Sequence, residues 1–92
     1  MSYTLKLTPI AIEDIEFFRR SGDKATLKKL SVLFEELTEH PKTGTGKPEE
    51  MKYNFTGCWS RRINNKHRLV YRIENEIVTV VILQARRHYS DK

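Results

Sequence analysis

Hydrophobic positions change period twice along this chain. From Tyr3 to Leu7 they alternate, with Tyr3, Leu5 and Leu7 on one side and Thr4 and Lys6 on the other, as in a half-buried strand. Thr8-Pro9 then reads as a helix N-cap followed by proline at the first helical position. The spacing of Ala11, Ile15 and Phe18 predicts a helix to about Arg20, stopped by Ser21-Gly22. Asp23 can cap a second helix to about Glu39. Its stripe is Leu27, Leu30, Phe34 and Leu37, widened by Leu33, with Lys28, Lys29, Glu35 and Glu36 on the other side. His40-Pro41 ends it, because a residue before proline is pushed out of the α region.

Period two returns near the end. Trp59, Arg61 and Ile63 alternate with Ser60 and Arg62; after a turn at Asn64-Asn65-Lys66, Leu69, Tyr71 and Ile73 alternate with Arg68, Val70 and Arg72. A second turn at Glu74-Asn75 leads into Ile77–Leu83, almost continuously apolar and so expected as the central strand, covered on both faces. The order predicts an α+β fold, β-α-α-β-β-β, with two N-terminal helices packed on one face of an antiparallel sheet. The other face is then free to be polar, and alternation sends Arg62 and Arg68 out from it. Between helices and sheet, Pro41 to Gly57 reads as the longest irregular stretch, with three of the four glycines and two of the three prolines. Long loops in compact domains are usually functional or disordered.

Size and composition narrow the classes. At 92 residues the chain is expected to be one domain, residues 1–92, with 38% hydrophobic residues to fill a single core. It has no apolar run near the ~20 residues of a membrane span, and the start Met-Ser-Tyr-Thr-Leu-Lys lacks the pattern of a signal peptide. One cysteine, Cys58, excludes an internal disulfide and suits the cytoplasm. Three histidines and one cysteine stand at no ligand-like spacing, so no metal or other cofactor is expected.

Charge changes the picture most. Residues 1–58 carry nine Lys/Arg and nine Asp/Glu, whereas residues 59–92 carry eight Lys/Arg against three acids. The whole net charge of +5 therefore sits on the strand-patterned part, among Trp59, Tyr71, Tyr89, His67 and His88. Such a surface suits RNA chemistry and equally suits docking of an acidic partner. A pI of about 9.5 argues for a polyanionic partner without choosing one.

Gly46-Lys47-Pro48-Glu49, then Lys52, Gly57-Cys58-Trp59-Ser60-Arg61-Arg62-Ile63, His67-Arg68-Leu69-Val70-Tyr71 and finally His88-Tyr89 closely resemble the YoeB/Txe branch of the RelE toxins. The match covers about half the chain in identity; the helical half agrees mainly in layout. The resemblance implies a RelE-like fold and a bacterial toxin that cuts messenger RNA in the ribosomal A site. It implies inhibition by a cognate YefM- or Axe-like antitoxin, with room for a homodimer and toxin–antitoxin hetero-oligomers. Metal-free cleavage by the 2′-hydroxyl needs a base, cations for the phosphate and an acid for the leaving oxygen. By family analogy Glu49 is the base, Arg68 the phosphate clamp helped by Lys52 and Arg62, and His88 the acid, with Tyr89 beside it.

Other residues read as structural. Glu50 is expected in solvent, His67 as a packing or edge residue, Trp59 and Tyr71 in the core, and Cys58 as a small packed side chain. Cys58 stands where relatives commonly carry an aromatic, Tyr53 where some carry histidine, and Ser90-Asp91-Lys92 extend past the His-Tyr pair. Two other functions fit the fold: a ParE-like toxin acting on gyrase, and a basic binding module. Neither needs Glu49, Arg68 and His88 together.

Overall fold

The computed structural model describes residues 2–52 and 55–84. The expected site residues His88 and Tyr89, with Arg86 and Arg87, lie outside the described residues.

The first strand, β1, is Thr4–Leu7, and α1 spans Pro9–Arg20. The Thr8 hydroxyl caps α1 by accepting from the Ala11 amide at 3.1 Å, an arrangement that contributes about 1 kcal/mol. Pro9 has no amide hydrogen and costs nothing in the first turn. The second helix, α2, spans Lys24–Glu39, and Asp23 caps it by accepting from the Thr26 amide at 3.1 Å and the Thr26 hydroxyl at 2.7 Å. Those two bonds, hydroxyl first, hold the Asp23 carboxyl below its ordinary range. Gly22 reverses the chain between the helices at φ +72°, a conformation that disfavours any side chain.

Four further strands follow: β2 (Glu49–Glu50), β3 (Cys58–Arg62), β4 (Arg68–Glu74) and β5 (Ile77–Ile82). They join β1 in one sheet of order β1-β5-β4-β3-β2. The α+β class and the helical hairpin on one face are as the pattern predicts. Ala11, Phe18, Leu30, Leu33 and Leu37 from the helices meet Leu69, Tyr71, Val78 and Val80 from the sheet in the main core. Burying an aliphatic or Phe side chain of this kind stabilises the fold by roughly 1.5–3 kcal/mol.

The structure corrects four details. The sheet is mostly antiparallel, but β1 pairs with β5 in parallel, because the chain leaves β1 through both helices before the remaining strands return beside it. The segment read as irregular contains β2, which pairs with Ser60 and Trp59 of β3; two residues leave no periodicity to read. The middle strand is β4, with β5 one place nearer the edge. The apolar run of β5 serves both faces, with Val78 and Val80 in the main core and Val81 and Ile82 packed on the opposite side. Finally, the face away from the helices is not simply polar. Met51, Cys58, Val70 and Ile82 form a second buried cluster there, with Phe55 and Val81 packed against it.

That second cluster depends on a bulge. Val70 pairs with Ile82 while Tyr71 pairs with Val80, so Val81 is an extra residue in β5. A bulge breaks strict alternation and lets Val81 and Ile82 both pack on the far side, while Leu83 returns to the main core. No helix among the described residues is long and apolar enough to cross a membrane.

Candidate active site

The candidate site lies on the far face of the sheet, at its β2 end. Glu49 pairs with Ser60, and Arg62 pairs with Arg68. Directly opposed residues share a face, and so do residues two apart on one strand. Glu49, Ser60, Arg62 and Arg68 therefore project to the same side. Arg68 Nη2 donates to Glu49 Oε1 at 3.0 Å, with both side chains open to solvent at 39% and 63% exposure. A surface pair of this kind contributes at most about 1 kcal/mol, so its interest is geometry rather than stability. Arg62, exposed, stands opposite Arg68. Two like charges facing each other across a ladder are unfavourable without an anion between them. The face combines one carboxylate acceptor with two guanidinium donors suited to a phosphate.

Glu50 pairs with Trp59 and turns the other way, so period two separates the two glutamates. Lys52 is exposed and lies beyond the end of β2, three residues after Glu49. Of the six expected site residues, the structure brings Glu49, Arg62 and Arg68 together and puts Lys52 on the adjoining segment.

The chain before Glu49 is held by a buried polar network centred on Arg61. Arg61 points to the helix side of β3 and is wholly buried. Its Nε donates to the Tyr71 hydroxyl at 3.2 Å. Nη1 donates to Glu36 Oε1 at 2.8 Å and to the Thr45 carbonyl at 3.3 Å. Nη2 donates to the carbonyls of His40 and, at 2.6 Å, Thr43. The Tyr71 hydroxyl donates in turn to the Pro41 carbonyl at 2.6 Å, and Glu36 accepts from the Thr45 amide at 2.8 Å and hydroxyl at 2.7 Å. Burial alone pushes the Glu36 carboxyl up, but Thr45 and Arg61 outweigh it and hold it below the ordinary range. Burial also raises the Tyr71 phenol, against the opposing pull of Arg61, which keeps it a donor. Gly46 completes the path: its carbonyl accepts from the Arg62 amide at 2.7 Å. At φ +85° a Cβ there would lie 2.6 Å from the Arg62 carbonyl oxygen.

A second buried polar group, Asp14 of α1, fixes the end of β5. It accepts from the Leu83 amide at 2.8 Å and from Gln84 Nε2 at 2.6 Å. The Thr8 hydroxyl adds a bond to the bulged Val81 carbonyl at 2.6 Å. The roles of Arg61 and Asp14 escape the sequence pattern. Each is marked only by a charge on an otherwise apolar side of its element.

The remaining titratable groups are packed. His67 is buried with its ring edge-on to Phe18, centroids 5.1 Å apart. Burial, then repulsion from Lys66, lowers its pKa against the pull of Asp23 and Asp14. Cys58 is buried in the far-face cluster, and burial raises its thiol despite Arg72. Among the described residues no group of three or more His, Cys, Asp or Glu could hold a metal ion.

Comparison with known proteins agrees with this geometry. Residues 7–89 match the family model described as the YoeB-like toxin of a bacterial type II toxin–antitoxin system. The toxin YoeB of Synechocystis sp. is 39% identical over 86 residues, covering 94% of this chain and 96% of its own. Among solved structures, a YoeB/ParE toxin from Agrobacterium tumefaciens superposes with a TM-score of 0.82 at 34% identity, over 88% of this chain and 95% of the other. The toxin in a heterotetrameric YoeB–YefM complex from Staphylococcus aureus gives 0.79 at 34% identity, over 91% and 97%. Fold, site-bearing motifs and relatives over nearly the full length converge: the chain belongs to the YoeB-like toxins of bacterial type II toxin–antitoxin systems.

Proposed function

We propose that the protein is a ribosome-dependent messenger RNA endoribonuclease that arrests translation in the cytoplasm. The observation that carries this reading is the 3.0 Å contact between Glu49 and Arg68, with Arg62 opposite, on one open face. In an RNA chain the 2′-hydroxyl and the adjacent phosphate lie within a few ångströms of each other. A base and a phosphate clamp acting on them must therefore be neighbours.

In this mechanism Glu49 takes the proton of the 2′-hydroxyl. The 2′-oxygen attacks phosphorus while Arg68, helped by Arg62 and Lys52, stabilises the charge growing on the phosphate oxygens. The bond to the 5′-oxygen breaks, and His88 donates a proton to that oxygen, with Tyr89 orienting the acid. The products are a 2′,3′-cyclic phosphate and a 5′-hydroxyl. No metal enters any step. A base and an acid each contribute about 10²–10⁴-fold.

The same basic face suits an acidic antitoxin segment that orders on contact. The S. aureus relative was crystallised with YefM, and a YefM-like partner in a hetero-oligomer is the corresponding proposal here. A ParE-like or purely binding role has no use for a carboxylate set against the arginine clamp.

The test is induced expression of wild type, Glu49→Ala and Arg68→Ala, with mapping of 5′ ends on ribosome-bound messenger. New 5′ ends within translated codons for wild type alone are expected. Growth arrest by all three proteins without RNA cuts would sink the nuclease reading.

A further inference from the structure

We infer that Arg61 is the positioning residue for the base: it sets the course of residues 40–46 and thereby the register that presents Glu49, not Glu50, to the substrate face. This deepens the nuclease reading and rests on Glu49 being the base.

The two-residue strand β2 cannot define its own register. It contributes the pairs Glu49–Ser60 and Glu50–Trp59, followed by one bond from the Met51 amide to the Cys58 carbonyl at 2.8 Å. A slip of one residue would exchange the faces of the two glutamates. Both flanks of β2 hold it: Met51 after it is buried in the far-face cluster, and the chain before it is bound at nearly every step. The carbonyls of His40, Thr43 and Thr45 all accept from one guanidinium. The Pro41 carbonyl is bound by Tyr71, itself bonded to Arg61. Thr45 is held by Glu36, the ion partner of Arg61. From Gly46 the bond to the Arg62 amide hands the chain to β3, three residues before Glu49.

A guanidinium has five N–H donors in a rigid fork, and here all five are used. Three go to carbonyls of one short segment, one to a carboxylate and one to a phenol. Solubility cannot explain a cation that is wholly buried. Nor does anchoring a loop to α2 require so many carbonyls of that loop to converge on one side chain. The fork acts as a template on which the loop backbone is laid. Lysine would keep the charge and offer fewer, unplanned donors. Arg61 touches no substrate; it acts through Glu49.

Single-turnover cleavage of messenger on ribosomes, in a double-mutant cycle of Arg61→Lys with Glu49→Ala, tests this. Arg61→Lys is expected to slow cleavage about 10²-fold, the lower end of a base's contribution, with ribosome affinity within about twofold. The double variant is expected to cleave no more slowly than Glu49→Ala alone, because residues acting as one unit are not additive. Tyr71→Phe, which keeps the ring and loses both hydroxyl bonds, should show a smaller, equally non-additive defect. It also serves if Arg61→Lys does not fold. Multiplicative losses, or loss of ribosome binding in place of rate, would overturn the positioning role. A silent Glu49→Ala would instead remove the base reading, and Arg61's role with it.

Discussion

A buried titratable residue next to a site can serve the fold alone, and His67 is such a case. It immediately precedes Arg68, yet its ring packs on Phe18 and its backbone closes the turn. The Ile63 amide donates to the His67 carbonyl at 3.0 Å, and the His67 amide donates to Asn64 Oδ1 at 2.8 Å. Its pKa is lowered in the folded state. The unfolded chain therefore takes up the proton at higher pH than the folded one. Stability is full above the ordinary histidine value of 6.5, falls as pH drops through it, and levels once the folded form also titrates. Thermal melting between pH 8 and about pH 5 should show this loss in wild type and a flatter profile in His67→Phe. Equal slopes in both proteins would mean that other groups carry the acid sensitivity. At this scale much was legible. Alternation placed Arg62 and Arg68 on the far face and kept Trp59, Tyr71 and Leu69 in the core. It also put Arg61 with Trp59 and Ile63 on the buried side, without saying what a buried guanidinium binds there. The partners are backbone carbonyls distant in sequence, which no spacing rule encodes.

Among the elements, β5 departs furthest from its sequence pattern, and the departure has a cause. An uninterrupted apolar run gives no sign of a bulge, because both faces accept the same residues. The extra residue at Val81 turns Ile82 to the far cluster and sends Leu83 and Gln84 against α1, where Asp14 receives both. The latch joins the first helix to the end of the last strand, from which residues 85–92 continue in sequence. Asp14→Ala removes the acceptor of two buried donors, at roughly 1–3 kcal/mol each. The melting temperature should drop by about 8 °C or more, since 1 kcal/mol moves a domain of this size by about 4–8 °C. Asp14→Asn, which keeps an acceptor for the Leu83 amide, should recover part of that loss. If Asp14→Ala melts with wild type, the latch contributes nothing to stability. The strand β2 was illegible for a different reason: its pairing is specified from its flanks, by the loop bound to Arg61, by Gly46 meeting β3 and by Met51 buried in the far-face cluster.

At the level of the whole molecule, charge is divided along the chain. The first 58 residues, which include both helices, β1 and β2, are neutral, and residues 59–92 hold the full +5. Affinity for a phosphate-rich surface should then depend on where a cation sits, not on the total. Each cation neutralising a backbone phosphate contributes about 0.7–0.9 to the slope of log affinity against log salt. Arg62→Gln, on the far face, should lower that slope by about one unit in ribosome-binding measurements at 50–200 mM salt. Lys28→Gln, exposed on α2, removes the same formal charge and should leave the slope unchanged. The two variants have equal net charge, so electrostatic steering by the molecule as a whole affects both alike. A difference in slope therefore reports contact at the far face. Equal reductions would mean that ribosomes attract the protein only through its net charge, leaving the arrangement of arginines around Glu49 without a role in binding.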